Sequence, residues 1–204
     1  MKVNFLLISE GSSEEPLVLH LESLCLRAGA MEVSGRWVDF GKYPNPPGKK
    51  IGAQLKWVMA HFRDYNLVFI HRDADARDDA DIRDVITRGV EESELPVACV
   101  ALVPIQELEA WLLLDESMIR AVAGNPRGRA PLELPGTKQA EERANPKEIL
   151  QAALSKAEKP GRRRKSFQSM RRTLLERLDL DGEINQLRAW QRLLVDLRQA
   201  LEAL

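Results

Sequence analysis

Apolar residues run along this chain in two alternating rhythms. Short continuous runs are separated by longer stretches in which they recur every three or four positions. Residues 3–8, VNFLLI, form the first run and predict a strand. After "SEGSSEEP", Leu17, Leu21, Leu24 and Ala28 take the spacing of one helical face. Ser12 with Glu15 has the pattern of a capping box, and Pro16 suits a first helical turn. A second strand is expected over residues 31–40, and "GKYPNPPGKK" after it suits neither helix nor strand. Leu55, Val58, Met59 and Phe62 mark a second helix. Residues 66–71 (NLVFIH) predict a third strand, 79–93 a charge-rich helix, and 95–104 (LPVACVALVP) a fourth strand. All four strands carry apolar residues at successive positions, as parallel strands covered on both faces do.

This alternation predicts an α/β domain with a mainly parallel four-stranded sheet. Beyond Pro104 the rhythm becomes helical. Residues 105–123 carry Leu108, Trp111, Leu112 and Ile119 on one face, and a loop of about fifteen residues with three prolines follows. Asn145-Pro146-Lys147-Glu148 opens another helix, with Asn as its cap. A last helix over 183–204 lines up Ile184, Leu187, Trp190, Leu194, Leu197 and Leu201. This stripe fits packing back on the chain or pairing with a second copy as a homodimer. The expected division is an α/β domain over residues 1–123 and a helical C-terminal extension with a basic linker over 124–204. Trp37, Trp57, Trp111 and Trp190 all fall on apolar faces and are expected in the core.

Composition changes the picture in two places. Apolar residues make up 44% of 204 positions, enough for a sizeable core, and no run reaches the roughly 18 apolar residues of a membrane span. Cys25 and Cys99 sit inside apolar patterns, so we expect buried, reduced thiols in a cytoplasmic protein. The net charge of −1 gives no global field for nucleic acid, but the charge is uneven. Residues 73–94 hold nine acids against three arginines, and residues 159–172 hold seven bases and no acid. Within that basic tract, Arg162, Arg163, Arg164, Lys165, Arg171 and Arg172 fit contacts to a nucleic-acid backbone. They equally fit a solvated linker or a subunit contact.

The acids fall where chemistry is expected. In a parallel sheet, ligands bind beyond the carboxyl ends of the strands. Glu10 lies two residues past the first strand, Asp73 and Asp75 just past the third, and Glu107 and Glu109 just past the fourth. If those strands are neighbours, the acids share one rim, and a hard divalent cation is the usual relief for crowded carboxylates. Asp78 and Asp79 fit either further ligands or caps of the next helix. Arg72 and Arg77 bracket the Asp pair and suit either a phosphate or charge balance. His71 suits a general base or a structural role.

At these residues the sequence resembles the TOPRIM (topoisomerase–primase) fold, which has a Glu after its first strand and Asp-x-Asp after its third. More narrowly, "EGSSEE", "HRDADARDD", "VPIQELEAWLL" and "NPKEIL" look like small standalone TOPRIM-like bacterial proteins, often encoded near ATPases in presumed defence or repair loci. The resemblance covers about residues 3–155. It implies a Rossmann-like TOPRIM domain, Mg²⁺ or Mn²⁺ held by Glu10, Asp73 and Asp75, and phosphodiester chemistry on DNA or RNA. Catalytic roles then fall to Glu10, Asp73, Asp75 and Arg72, with Asp78 and Glu109 as further metal ligands. Asp78 stands where many members have Gly, and neither Tyr43 nor Tyr65 lies in a cleavage module, which argues against a topoisomerase. A nuclease is the leading expectation. A non-catalytic subunit of an ATPase complex and a nucleotide-sugar enzyme are the alternatives.

Overall fold

The computed structural model describes residues 1–75, 78–159 and 165–204. By its internal contacts the chain divides into two units. The first comprises residues 1–72, 77–103 and 192–204, and the second residues 73–76 and 104–191. The first unit's sheet ends where the rhythm turns helical, after Val103, and most of the last helix returns to that unit.

The first unit is an α/β layer. Its elements are β1 (Lys2–Ile8), α1 (Leu17–Arg27), β2 (Glu32–Trp37), α2 (Ile51–His61), β3 (Leu67–His71), α3 (Asp79–Ser93) and β4 (Ala98–Leu102). The sheet is entirely parallel, in the order β2-β1-β3-β4. β1 and β3 are central, and Val3, Phe5, Leu7, Leu67, Val68 and Phe69 are buried. Phe5 and Phe69 meet edge to face at 5.0 Å. The expectation that all four strands are covered on both faces holds only for these two. β2 and β4 are edges, and each leaves alternate or successive residues half-exposed.

Two positions require glycine. A Cβ on Gly35 of β2 would lie 2.2 Å from the Phe5 ring. On α3, a Cβ on Gly89 would lie 2.7 Å from the Ile51 Cβ and 3.1 Å from the Gly52 backbone nitrogen, so α2 and α3 pack almost backbone to backbone there. Gly89→Ala is therefore expected to force the helices apart. Overpacking costs about 1–3 kcal/mol, and the better helix propensity of Ala returns up to about 1 kcal/mol. A net loss of about 1–2 kcal/mol should appear as a lower urea midpoint with an unchanged slope.

The second unit is helical: α4 (Glu109–Leu112), α5 (Glu116–Val122), α6 (Thr137–Ala140), α7 (Pro146–Ala157), α8 (Phe167–Glu176) and the first turn of α9 (Arg188–Glu202). The single helix expected over 105–123 is broken. Asp115 restarts the chain by accepting the Met118 N–H at 2.8 Å, and α5 begins behind it. Trp111 and Trp190 are buried edge to face, 5.1 Å apart, as expected of core tryptophans. Glu141 caps α9 by accepting the N–H groups of Arg188 and Ala189 at 2.9 and 3.0 Å.

The leucine stripe packs back within the chain, with Leu193 buried where the helical reading put Leu194. Within the first unit, Asp196 of α9 pairs with Arg83 of α3 at 2.6 Å. Cys25 is buried and Cys99 half-buried, and burial pushes both thiols up to about 12. Among the described residues no helix is long and apolar enough to cross a membrane.

Candidate active site

β1, β3 and β4 are consecutive neighbours in the sheet, so the carboxyl ends that carry the predicted acids do stand side by side. Glu10 follows β1 through Ser9. The Ser9 hydroxyl donates to the Gly11 carbonyl at 2.7 Å and receives the Trp37 indole N–H at 2.9 Å, which pins the turn. Glu10 itself is exposed. Its carboxylate lies 3.8 Å from Nε of Arg72, the residue immediately after β3. Arg72 is buried. Its Nη1 donates to the His71 carbonyl at 2.6 Å and its Nη2 to Oε1 of Gln54 at 2.5 Å. Burial pulls its pKa below the ordinary arginine value, and the Glu10 charge pulls it back up. Arg72 therefore does not lie open to a substrate. It anchors the Glu10 turn, and Gln54 on α2 holds it in place, a partner that no sequence motif announced.

The segment after β3 continues a ladder. In the second unit, the Ala74 N–H donates to the Pro104 carbonyl at 3.1 Å and the Asp75 N–H to the Gln106 carbonyl at 2.7 Å. Asp75 and Gln106 both adopt left-handed backbone, with φ of +52° and +64°. For Gln this conformation is rarely free of cost, and it persists here because the two loops are bonded to each other. Asp73 Oδ1 accepts the Leu108 N–H at 2.9 Å, just ahead of α4. Asp73 is half-buried and Asp75 exposed. The chain thus strains its backbone at the point where it presents the Asp-x-Asp pair.

Glu107 completes this acidic end of the second unit. Its Oε2 accepts the Lys147 N–H at 3.0 Å, so it caps α7 from 40 positions away. The expected cap, Asn145, instead adopts φ of +58° and makes no side-chain cap bond. Partial burial raises the Glu107 pKa, the Lys147 bond opposes it, and the charges of Glu109 and Asp73 push it up further. Glu107 thus feels the charges of both neighbouring carboxylates, and a cation would relieve that effect.

Other predicted residues have different partners. Asp78 caps α3, accepting the Ala80 N–H at 3.0 Å. Glu109 is buried, and its Oε1 takes the Nε–H of Arg171 at 2.7 Å. Two residues expected on different functions, a metal ligand and a nucleic-acid contact, are thus each other's ion-pair partner. Arg171 is too buried to meet a phosphate at the surface, because α8 is amphipathic and turns it inward. Arg172 is half-exposed and pairs with Glu176 at 2.9 Å. Lys165 is exposed. Arg77, Arg162, Arg163 and Arg164 lie outside the described residues.

Among the described residues no group of three or more His, Cys, Asp and Glu side chains converges as a ready-made metal cage. The donor set is nonetheless all hard oxygen. Mg²⁺ is commonly held by only one or two carboxylates, with water and substrate phosphate completing the shell, so Asp73 and Asp75 fit that less demanding role. Away from these acids, the first unit has a cleft of about 580 Å³ bordered by α3, β4 and α9; it contains none of the predicted site residues. A scan against protein-family models finds no match, and searches of curated proteins and of solved structures find none either.

Proposed function

We propose that this protein performs divalent-metal-dependent phosphodiester chemistry on nucleic acid, acting as a nuclease on a TOPRIM-like fold. The observation that carries this reading is the strained, mutually bonded pair of loops that holds Asp73 and Asp75, which follow β3 in the sequence. Backbone strain persists where surrounding structure over-determines it, and it clusters at functional sites. The charges of Glu109 and Asp73, which add to the rise that burial causes in the Glu107 pKa, support the same conclusion.

In this reading Asp73 and Asp75 hold Mg²⁺ or Mn²⁺. When bound, such an ion supplies Lewis-acid polarisation of a phosphoryl oxygen and a water of lowered pKa. Glu10 is the third acid of the pattern, and Arg72 with Gln54 positions it. Arg72 is thereby a positioning residue, in keeping with the charge-balance alternative and not with the phosphate contact. Glu109 and Asp78 serve the fold through Arg171 and α3.

The test is metal-dependent. Adding Mn²⁺ to chelator-treated protein is expected to raise its melting temperature and to start cleavage of DNA or RNA, and EDTA is expected to reverse both. Intact substrates, with no thermal shift at millimolar metal, would remove the enzymatic reading. They would favour a non-catalytic subunit, in which the acids serve only as caps and ion-pair partners, as Asp78 and Glu109 already do.

A further inference from the structure

Between β2 and the end of α2 the chain becomes strongly basic. Residues 36–63 contain Arg36, Lys42, Lys49, Lys50, Lys56 and Arg63 against a single acid, Asp39, in a chain whose net charge is −1. All six bases are exposed. Lys42 pairs with Asp39 at 3.5 Å yet stays 75% exposed.

Aromatic rings are interleaved with these charges. Trp57 was expected in the core with the other tryptophans, but it is only half-buried, as is Trp37. The His61 ring, one helical turn on, stacks on its indole at 3.8 Å and 11°. His61 Nδ1 donates to the Trp57 carbonyl at 2.8 Å, so ring and backbone together fix the stack. Tyr43, from the proline-rich loop, and Phe40, just before it, meet the indole edge to face at 4.8 and 5.3 Å. The Arg36 guanidinium lies 4.9 Å from the Phe62 ring.

Core packing accounts for Phe62, which is buried, but not for His61, which is exposed. On α2, the exposed positions Ala53 and Ala60 near this pair are small, and Lys56 beside Trp57 is exposed as well. Lys50 lies seven residues before Trp57, about 10 Å along the same helical face. A fixed ring pair with His61 exposed, in a segment with four exposed lysines, matches flat π faces joined by repeated negative charge. That is the chemistry of unpaired bases on a phosphate backbone. A duplex hides those faces in its own stack. An anionic lipid surface would match the charge but make no use of the stack.

We infer that the α2–proline-loop surface binds single-stranded nucleic acid, with bases stacking on the Trp57–His61 pair and phosphates on Lys49 and Lys50. This goes beyond the proposed phosphodiester chemistry and does not depend on metal, so the two are tested apart. Anisotropy of a labelled oligothymidylate is measured with the full chain in EDTA, across a salt series. His61→Ala is expected to weaken binding about tenfold, and His61→Tyr, which keeps a stacking ring, to retain most of it. The Lys49→Ala/Lys50→Ala double variant is expected to reduce the slope of log affinity against log salt by about 1.4.

Binding that is unchanged in His61→Ala overturns the inference. So does duplex bound as tightly as single strand, or capture of phosphatidylserine vesicles without affinity for the oligonucleotide. Oligothymidylate binding without any Mn²⁺-dependent cleavage supports this inference and sinks only the enzymatic reading.

Discussion

Asp73→Asn is expected to reduce Mn²⁺-supported cleavage about a hundredfold or more, because Lewis-acid stabilisation by a held cation is worth several kcal/mol. The choice of Asn matters. Asp73 Oδ1 accepts the Leu108 N–H, and an Asn carbonyl oxygen can accept the same bond, so the loop ahead of α4 keeps its anchor. Only the charge is lost. Asp73→Ala removes both, and the stranded backbone donor adds about 1–3 kcal/mol of destabilisation. Measured together, the two variants separate chemistry from scaffolding. If Asp73→Asn cleaves like the unsubstituted protein while Asp73→Ala unfolds, Asp73 is only a loop anchor. If both lose cleavage and only Ala loses stability, the carboxylate acts on the metal. Asp75→Asn is the companion. Asn tolerates the left-handed backbone that Asp75 adopts, so the exposed charge can be removed without a new steric conflict.

The sheet was legible in the sequence because β1, β3 and β4 follow apolar runs and each connection carries a helix, which is the pattern of parallel strands. Glu10, Asp73 and Asp75 could be named from that rule alone. What could not be read was the partner of each acid. Glu109 sits one residue inside a helix, and whether it faces a cation or an arginine depends on Arg171, which is 62 positions away and reaches it only through tertiary packing. Glu107 likewise caps a helix whose own first residues, Asn145-Pro146, look self-sufficient.

The break between α4 and α5 was visible in principle. Asp115 followed by Glu116 and Ser117 is a helix-start signal, but the apolar period continued across it and concealed it. Trp57 was misassigned for a related reason. Its apolar neighbours Val58 and Leu55 carry the period, while the indole itself meets Tyr43 of the proline-rich loop and Phe40 just before it, and no periodicity announces either contact. The spacing of Trp57 and His61, four apart on a helix, was the available signal for their stack.

The buried pair offers the second large effect. Arg171→Ala is expected to destabilise the second unit by about 3–5 kcal/mol, because it leaves the Glu109 carboxylate buried without a counter-charge. Glu109→Ala should cost a similar amount by stranding the guanidinium. Replacing both, as Glu109→Leu with Arg171→Met, is expected to recover much of the loss, since an apolar pair of similar volume escapes the desolvation penalty of two ions. Urea denaturation of the parent, the two Ala variants and their Ala/Ala combination closes the cycle, with strong non-additivity as the expected signature of direct contact, and the Leu/Met double variant is measured beside them. The same double variant bears on the chemistry. If Glu109 only braces α4 against α8, the folded double variant cleaves with the metal dependence of the parent. If its cleavage collapses while its stability is restored, Glu109 reaches the cation after all, and Arg171 is then the residue that holds the ligand in place until metal arrives.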